Sequence, residues 1–192
     1  MQTMGKEVKR CRWCNLNNPR YVAYHDSEWG VPVYDDAQLF EMLLLETFQA
    51  GLSWECVLNK REAFRRAFDG FDCRRVADYD EAKREALLHD AGIVRNRMKI
   101  AAAVTNARVF IAIGREYGSF AAYLWHFTDG RVLHEAGRVR SPLSDSVSKD
   151  LKRRGMKFVG TVTVYAFLQA VGVICAHEPE CFLAVTECDC GC

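Results

Sequence analysis

LLHDAGIVRNRMKIAAA, residues 87–103, reads as a helical hairpin. Leu87 and Leu88 close one helical run, Gly92 interrupts it, and Asn96 opens a second run that continues to Tyr117. Asparagine is favoured at a helix N-cap because its side-chain oxygen accepts from an otherwise unpaired backbone N–H, and glycine is favoured just past a helix end. The spacing predicts a helix, a tight turn and a second helix over about 80–117. A helix start carries partial positive charge and free N–H donors, a combination that receives phosphate. Arg95, Arg97 and Lys99 crowd the same turn. Such a turn can hold a nucleic-acid backbone without reading bases. It can equally be an ordinary αα-hairpin whose basic residues solvate the turn. A second basic run, KDLKRRGMK at 149–157, carries the same two readings.

Outward from this hairpin the pattern stays helical. Asp36 is expected to cap a helix through AQLFEMLLLETFQA that stops at Gly51, and Ser53 to cap WECVLNKREAFRRAF. Asp72 starts a short helix, CRRVADY, and Asp80 starts EAKREALLHDA, which ends at Gly92. After Tyr117, FAAYLWHF reads as helix and the segment with Gly130, Gly137 and Pro142 as loop. Helices at roughly 146–154 and 161–173 flank GMKFVG; the second is rich in β-branched residues, so propensity alone leaves strand open there. The first 30 residues read as irregular and aromatic-rich, and sustained alternation for a sheet is absent elsewhere. The fold class is all-α.

Composition bounds the partners. A chain of 192 residues can bury a sizeable core without disulfides. With 49% hydrophobic and 27% charged residues it reads as globular rather than disordered. Lys and Arg number 26 against 25 Asp and Glu, so any nucleic-acid contact has to come from local clustering. The start, MQTMGKEVKRCRW, lacks the apolar segment of a secretory signal. The longest apolar stretch, 162–175, is broken by Thr163 and Gln169 and is too short to span a bilayer. A cytoplasmic protein with no membrane attachment is the expectation. Nine cysteines in such a compartment point to metal ligation or burial before disulfides.

His177 and Cys181 form an HxxxC pair that can chelate one ion from a single helical turn. Cys11 and His25 are the natural complements at the other end, and zinc takes such a Cys2His2 set in closed tetrahedral structural sites. The ion would staple the segments at 11–25 and 177–181 together. An ordinary His–Cys neighbour pair is the competing reading. Cys14, in CRWC, competes with Cys11, and Cys188, Cys190 and Cys192 in the CDCGC end offer either a second metal site or a loose tail.

Glu46 lies in MLLLETFQAGL on the helical face of Leu39, Met42 and Leu43, so its carboxylate points where apolar side chains point. A buried ionised carboxylate is costly unless paired. A structural ion pair is the common outcome; a pocket carboxylate awaiting a donor or cation from a ligand is the functional one. Tyr21, Tyr24, Trp29 and Trp54 lie near it in sequence, and aromatic faces both fill cores and stack on flat, cationic bases.

Taken together, YVAYHDSEWGVP (21–32), LFEMLLLETFQAGLSW (39–54), DAGIVRNRMKI (90–100) and KRRGMKFVGTVTVYAFLQAVG (152–172) resemble the DNA-3-methyladenine glycosylase I family. The resemblance runs from about Cys11 to Cys181. It implies a single glycosylase domain over 1–192, of helix-hairpin-helix type, with two helical lobes around a cleft and a structural zinc ion on Cys11, His25, His177 and Cys181. It implies a monofunctional enzyme that excises 3-methyladenine from double-stranded DNA carrying alkylated bases, acting as a monomer. Glu46 is then the hydrogen-bond partner of the flipped base, with Tyr21, Tyr24, Trp29 and Trp54 as walls. Gly92, Arg95, Asn96, Arg97 and Lys99 fall at the DNA backbone, and Leu52 at the gap in the duplex. The distance from Cys11 to His25 is one residue longer than the family pattern. The aspartate or nucleophilic lysine of many relatives of this fold has no counterpart. The rival from another class is a zinc-stabilised binder of damaged DNA that cuts nothing; the intact carboxylate and aromatic set argues against it.

Overall fold

The computed structural model describes residues 8–184; the CDCGC end, with Cys188, Cys190 and Cys192, lies outside the described residues. Helix α2 (Asp36–Gln49) is the axis of the molecule, with every residue from Leu39 to Phe48 buried. A helix that is enclosed all round must be covered on all sides by other elements. On one side lie α3 (Trp54–Asn59), α4 (Arg61–Ala67), a 3-10 turn (Asp69–Phe71), α5 (Cys73–Ala77), α6 (Glu81–His89), α7 (Arg97–Tyr117) and α8 (Phe120–His126). The 21-residue α7, about 31 Å long by the usual helical rise, packs on α2, α5, α6 and α8. On the other side, α9 (Pro142–Arg153) and α10 (Thr161–Ala170) pack on each other, and α10 packs on α2. Helix α1 (Pro19–Ser27) leans on α3. Two helical lobes thus share α2.

The all-α expectation holds except for one short parallel ladder among the described residues, β1 (Leu133–His134) with β2 (Ile174–Cys175). The open choice over 161–173 resolves as helix to Ala170. Asp36 is not the cap of α2. Asp35 is, accepting from the Gln38 N–H at 2.9 Å, while Ser119 caps α8 and the Asp36 carboxylate accepts from the Phe120 and Ala121 N–H groups of that helix's first turn. Adjacent aspartates therefore serve two helix starts. The run after Ser53 breaks at Lys60 into α3 and α4. Helix α9 begins at Pro142 rather than Ser146, because Ser141 forms a capping box with Ser144 and proline fits the first helical position. Helix α1 stands where the sequence looked irregular, capped by Asn18 with Pro19 at its start.

Candidate functional site

A cavity of about 290 Å³ opens between the lobes, where α1, the end of α2, the start of α3 and α10 converge. Tyr21 and Tyr24 reach it from α1, Glu46 and Gln49 from α2, Trp54 from α3, and Ala166 and Gln169 from α10. Trp29 and Trp13 complete the aromatic wall. Trp13 stands edge-on to Trp29 at 4.7 Å between ring centres and lies 5.5 Å from Tyr21; Tyr24 and Trp54 lie 5.1 Å apart. Tyr21, Tyr24, Trp29, Trp54 and Glu46, gathered from three helices and the turn after α1, are thus brought to one cavity. Trp13, Gln49 and Gln169 were not singled out from sequence. Trp13 offered a signal in its closeness to Cys11, while the glutamines offered none.

Two buried glutamates on α2 have opposite fates. Glu41 accepts from Arg61 at 2.7 Å and Arg65 at 2.8 Å, the structural pairing expected of a buried carboxylate. Glu46, 3% exposed, has no ion pair among the described residues, and its Oε2 is buried with no hydrogen-bond partner. Burial alone raises its pKa to about 8. The Nε1 donor of Trp54, in the same cavity wall, is likewise buried and unpartnered. Native interiors rarely leave such groups unsatisfied, so a ligand that supplies both partners fits the cavity.

Beside the aromatic wall, Cys11, His25, His177 and Cys181 place one ligand atom each within 4.8 Å of one another. The Cys11 and Cys181 sulfurs both lie 3.5 Å from His177 Nδ1, and Cys181 Sγ lies 3.5 Å from His25 Nε2. A tetrahedron with bonds of about 2.3 Å to sulfur and about 2.0 Å to nitrogen sets S···N at roughly 3.5 Å. His25 Nδ1 donates to Asp26 at 2.8 Å, which leaves Nε2 as the acceptor; it accepts from the Cys11 N–H at 3.2 Å and faces Cys181 Sγ, while Arg10 grips the same Asp26 through a fork at 2.6–3.0 Å. The N–H groups of Glu178 and Leu183 point at the two sulfurs. Burial pushes the Cys11 thiol up to about 12 and the His177 imidazole down, so a cation is what would keep the Cys11 thiol ionised. The four residues fit a structural metal. Cys14 stays outside the set, with its Sγ directed at the Tyr21 carbonyl. The set also props the cavity: Trp29 stands edge-on to His177 at 4.7 Å and stacks near His25.

At the hairpin, α6 ends at His89 rather than at Gly92. Gly92 serves close packing instead of ending the helix: a Cβ there would lie 2.9 Å from Asp90 Oδ1 and 3.0 Å from Ala63 Cβ. Its N–H donates to Asp90 at 2.7 Å. Asn96 caps α7 as expected, accepting from the Lys99 N–H at 3.1 Å. Arg95 is exposed, and Arg97 is exposed but paired with Glu85 at 2.9 Å. Lys99 corrects the expectation of a phosphate contact. It is 6% exposed and donates to the Phe48 and Ala50 carbonyls at 2.7 and 2.6 Å, covering the C-terminal end of α2. The long stem that reaches a phosphate reaches helix carbonyls equally well, and here packing against α2 decides. Leu52, 41% exposed, projects from the turn after α2.

The methyladenine glycosylase profile matches residues 13–184. DNA-3-methyladenine glycosylase 1 of Escherichia coli K12 is 44% identical over 181 residues, which cover 91% of this chain and 96% of that protein. A crystal structure of 3-methyladenine DNA glycosylase I superposes with a TM-score of 0.88 at 44% identity, over 92% of this chain and 100% of that one. The Staphylococcus aureus 3-methyladenine DNA glycosylase I, solved to show how 3-methyladenine is recognised, superposes with a TM-score of 0.83 at 38% identity, over 85% and 90% of the two chains.

Proposed function

The chain belongs to the methyladenine glycosylase family, and from that premise we propose that it is a monofunctional glycosylase that flips 3-methyladenine from double-stranded DNA and hydrolyses its N-glycosidic bond. The observation that carries the reading is the cavity in which Glu46 Oε2 and Trp54 Nε1 lie buried and unpartnered among aromatic rings. An extruded, N3-methylated adenine is flat and cationic. Stacking on Tyr21, Tyr24, Trp13 and Trp29 suits its faces, and its charge lowers the pKa of Glu46, converting the carboxyl into an ionised acceptor for the base's N–H edge.

Methylation already weakens the glycosidic bond, so the enzyme needs positioning more than a strong nucleophile. The C–N bonding pair leaves with the base, which departs neutral; water adds to the sugar carbon and loses its proton to solvent. An abasic site remains and the strand stays intact. Arg95, the N–H groups at the Asn96 cap and Arg97 are the backbone contacts in this reading, with Gly92 shaping their turn and α6–α7 as the helix-hairpin-helix. Lys99 enters as the brace between α7 and α2. Leu52 is the apolar wedge that holds the vacated stack open. Cys11, His25, His177 and Cys181 would hold one zinc ion, which would supply rigidity rather than chemistry by tying the segments at 11–25 and 177–181 of the single domain together. A monomer acting in the cytoplasm completes the reading; no helix among the described residues is long and apolar enough to cross a membrane.

The test is strand integrity. Treated alkylated duplex should break only after alkali, and borohydride should trap no covalent complex. Breakage without alkali, together with trapping through a lysine, would make the protein a lyase and overturn the monofunctional reading.

A further inference from the structure

The segment 136–140, between β1 and α9, is unlike the other loops around the cavity. Both of its ends are pinned: Glu135 N–H donates to the Cys175 carbonyl at 3.0 Å, and Ser141 is locked into the capping box of α9. Between these anchors Ala136, Gly137, Arg138, Val139 and Arg140 are all exposed. Gly137, at φ +71°, turns the chain so that it and Arg138 line the rim of the base cavity. Arg140 is paired with Asp145 at 3.3 Å, whereas Arg138 makes no ion pair or hydrogen bond among the described residues. The acidic side chain on the same rim, Glu178, is already held by Arg12, through its backbone N–H at 2.9 Å and its guanidinium at 3.3 Å. A rigidly anchored strap therefore holds an uncommitted cation at the mouth of a cavity whose floor carries Glu46.

We propose that Arg138 is a positioning residue that grips a phosphate flanking the flipped nucleotide. This inference rests on the glycosylase reading. A base can enter a cavity of this size only if its sugar stays at the rim, and the sugar carries phosphates on both sides. A guanidinium there meets phosphate with a forked, charge-assisted pair. The contact neutralises one phosphate and reads no base.

The test uses the full chain with Arg138→Ala and Arg138→Lys, and two probes: a duplex with a stable abasic-site analogue, and free 3-methyladenine. Binding of the duplex is followed by fluorescence anisotropy against salt, and binding of the base by quenching of the cavity tryptophans. Arg138→Ala should weaken duplex binding about tenfold at low salt and make the slope of log K against log salt shallower by about one. On alkylated DNA it should raise KM and leave kcat near wild type. Arg138→Lys should restore the salt slope, and free-base affinity should be unchanged in both. An unchanged slope, or loss of free-base binding in Arg138→Ala, would overturn the proposal, the latter by making Arg138 a cavity wall. If the wild-type protein excises nothing, the glycosylase reading fails, and the salt slope on the abasic duplex still decides whether Arg138 holds a phosphate.

Discussion

Replacing Glu46 with Gln should make the protein more stable and less active at once. The carboxyl has an ordinary pKa of 4.5 and is raised by burial to about 8 in the fold. For an acid whose folded pKa is raised, the neutral form is the one the fold tolerates. Stability is therefore full below pH 4.5 and falls as pH rises from there to about 8. At pH 7 the fold has crossed about 2.5 units of that window, and at about 1.4 kcal/mol per unit the cost is roughly 3 kcal/mol. Glutamine does not titrate, so Glu46→Gln removes the cost. The two proteins should have similar urea stability near pH 4.5, and the variant should lead by about 3 kcal/mol at pH 7, or roughly 6–12 °C in Tm for a chain of this length. Excision of 3-methyladenine should fall by roughly 10²-fold or more, because glutamine presents no charge to a cationic base. Paired denaturation curves at several pH values, with base release measured on the same samples, decide the matter. A variant no more stable than wild type at pH 7, or a stability gap that does not change with pH, would refute the reasoning that Glu46 is unpaired and held in reserve for ligand.

Other consequences are as specific. Purified protein should carry close to one zinc per chain, and stripping it with a chelator should lower Tm and abolish excision; a fully folded, active, metal-free protein would remove zinc from the account. Lys99→Met should leave the carbonyls of Phe48 and Ala50 without their donor and cost about 1–3 kcal/mol in urea denaturation, with the salt slope of DNA binding unchanged; a shallower slope would return Lys99 to the phosphates. Leu52→Ala, at a half-exposed position, should barely move Tm yet reduce excision from paired duplex about tenfold, and unchanged excision would remove the wedge role.

The helical architecture was legible where apolar periodicity and caps coincide. Asn96, Ser53, Asp72 and Asp80 each cap the helix expected of them. Misreadings came where one residue type can serve two ends. Asp35 and Asp36 are indistinguishable in sequence, and only the approach of α8 decides which caps α2. Helix α1 starts at Asn18–Pro19, inside an aromatic-rich stretch that shows no helical periodicity of its own. Tyr21, Tyr24, Trp29, Trp54 and Glu46 could be named from their closeness in sequence and from the family resemblance. Trp13, Gln49, Gln169 and Arg138 could not, since their place at the cavity depends on how distant segments pack. The spacing of Cys11, His25, His177 and Cys181 left Cys14 as a competitor, and only three-dimensional proximity excludes it. Lys99 shows the reverse limit: a basic residue at a turn looks available for DNA until packing reveals what it already holds.

The central claim is that this cavity removes a methylated adenine from DNA, and the most direct measurement is base release. Purified protein is incubated with methylated duplex and the freed bases are resolved by chromatography. Release of 3-methyladenine is expected, with 7-methylguanine left in the DNA. Duplex binding with bound metal but no released base would contradict it and leave a binding module in place of an enzyme.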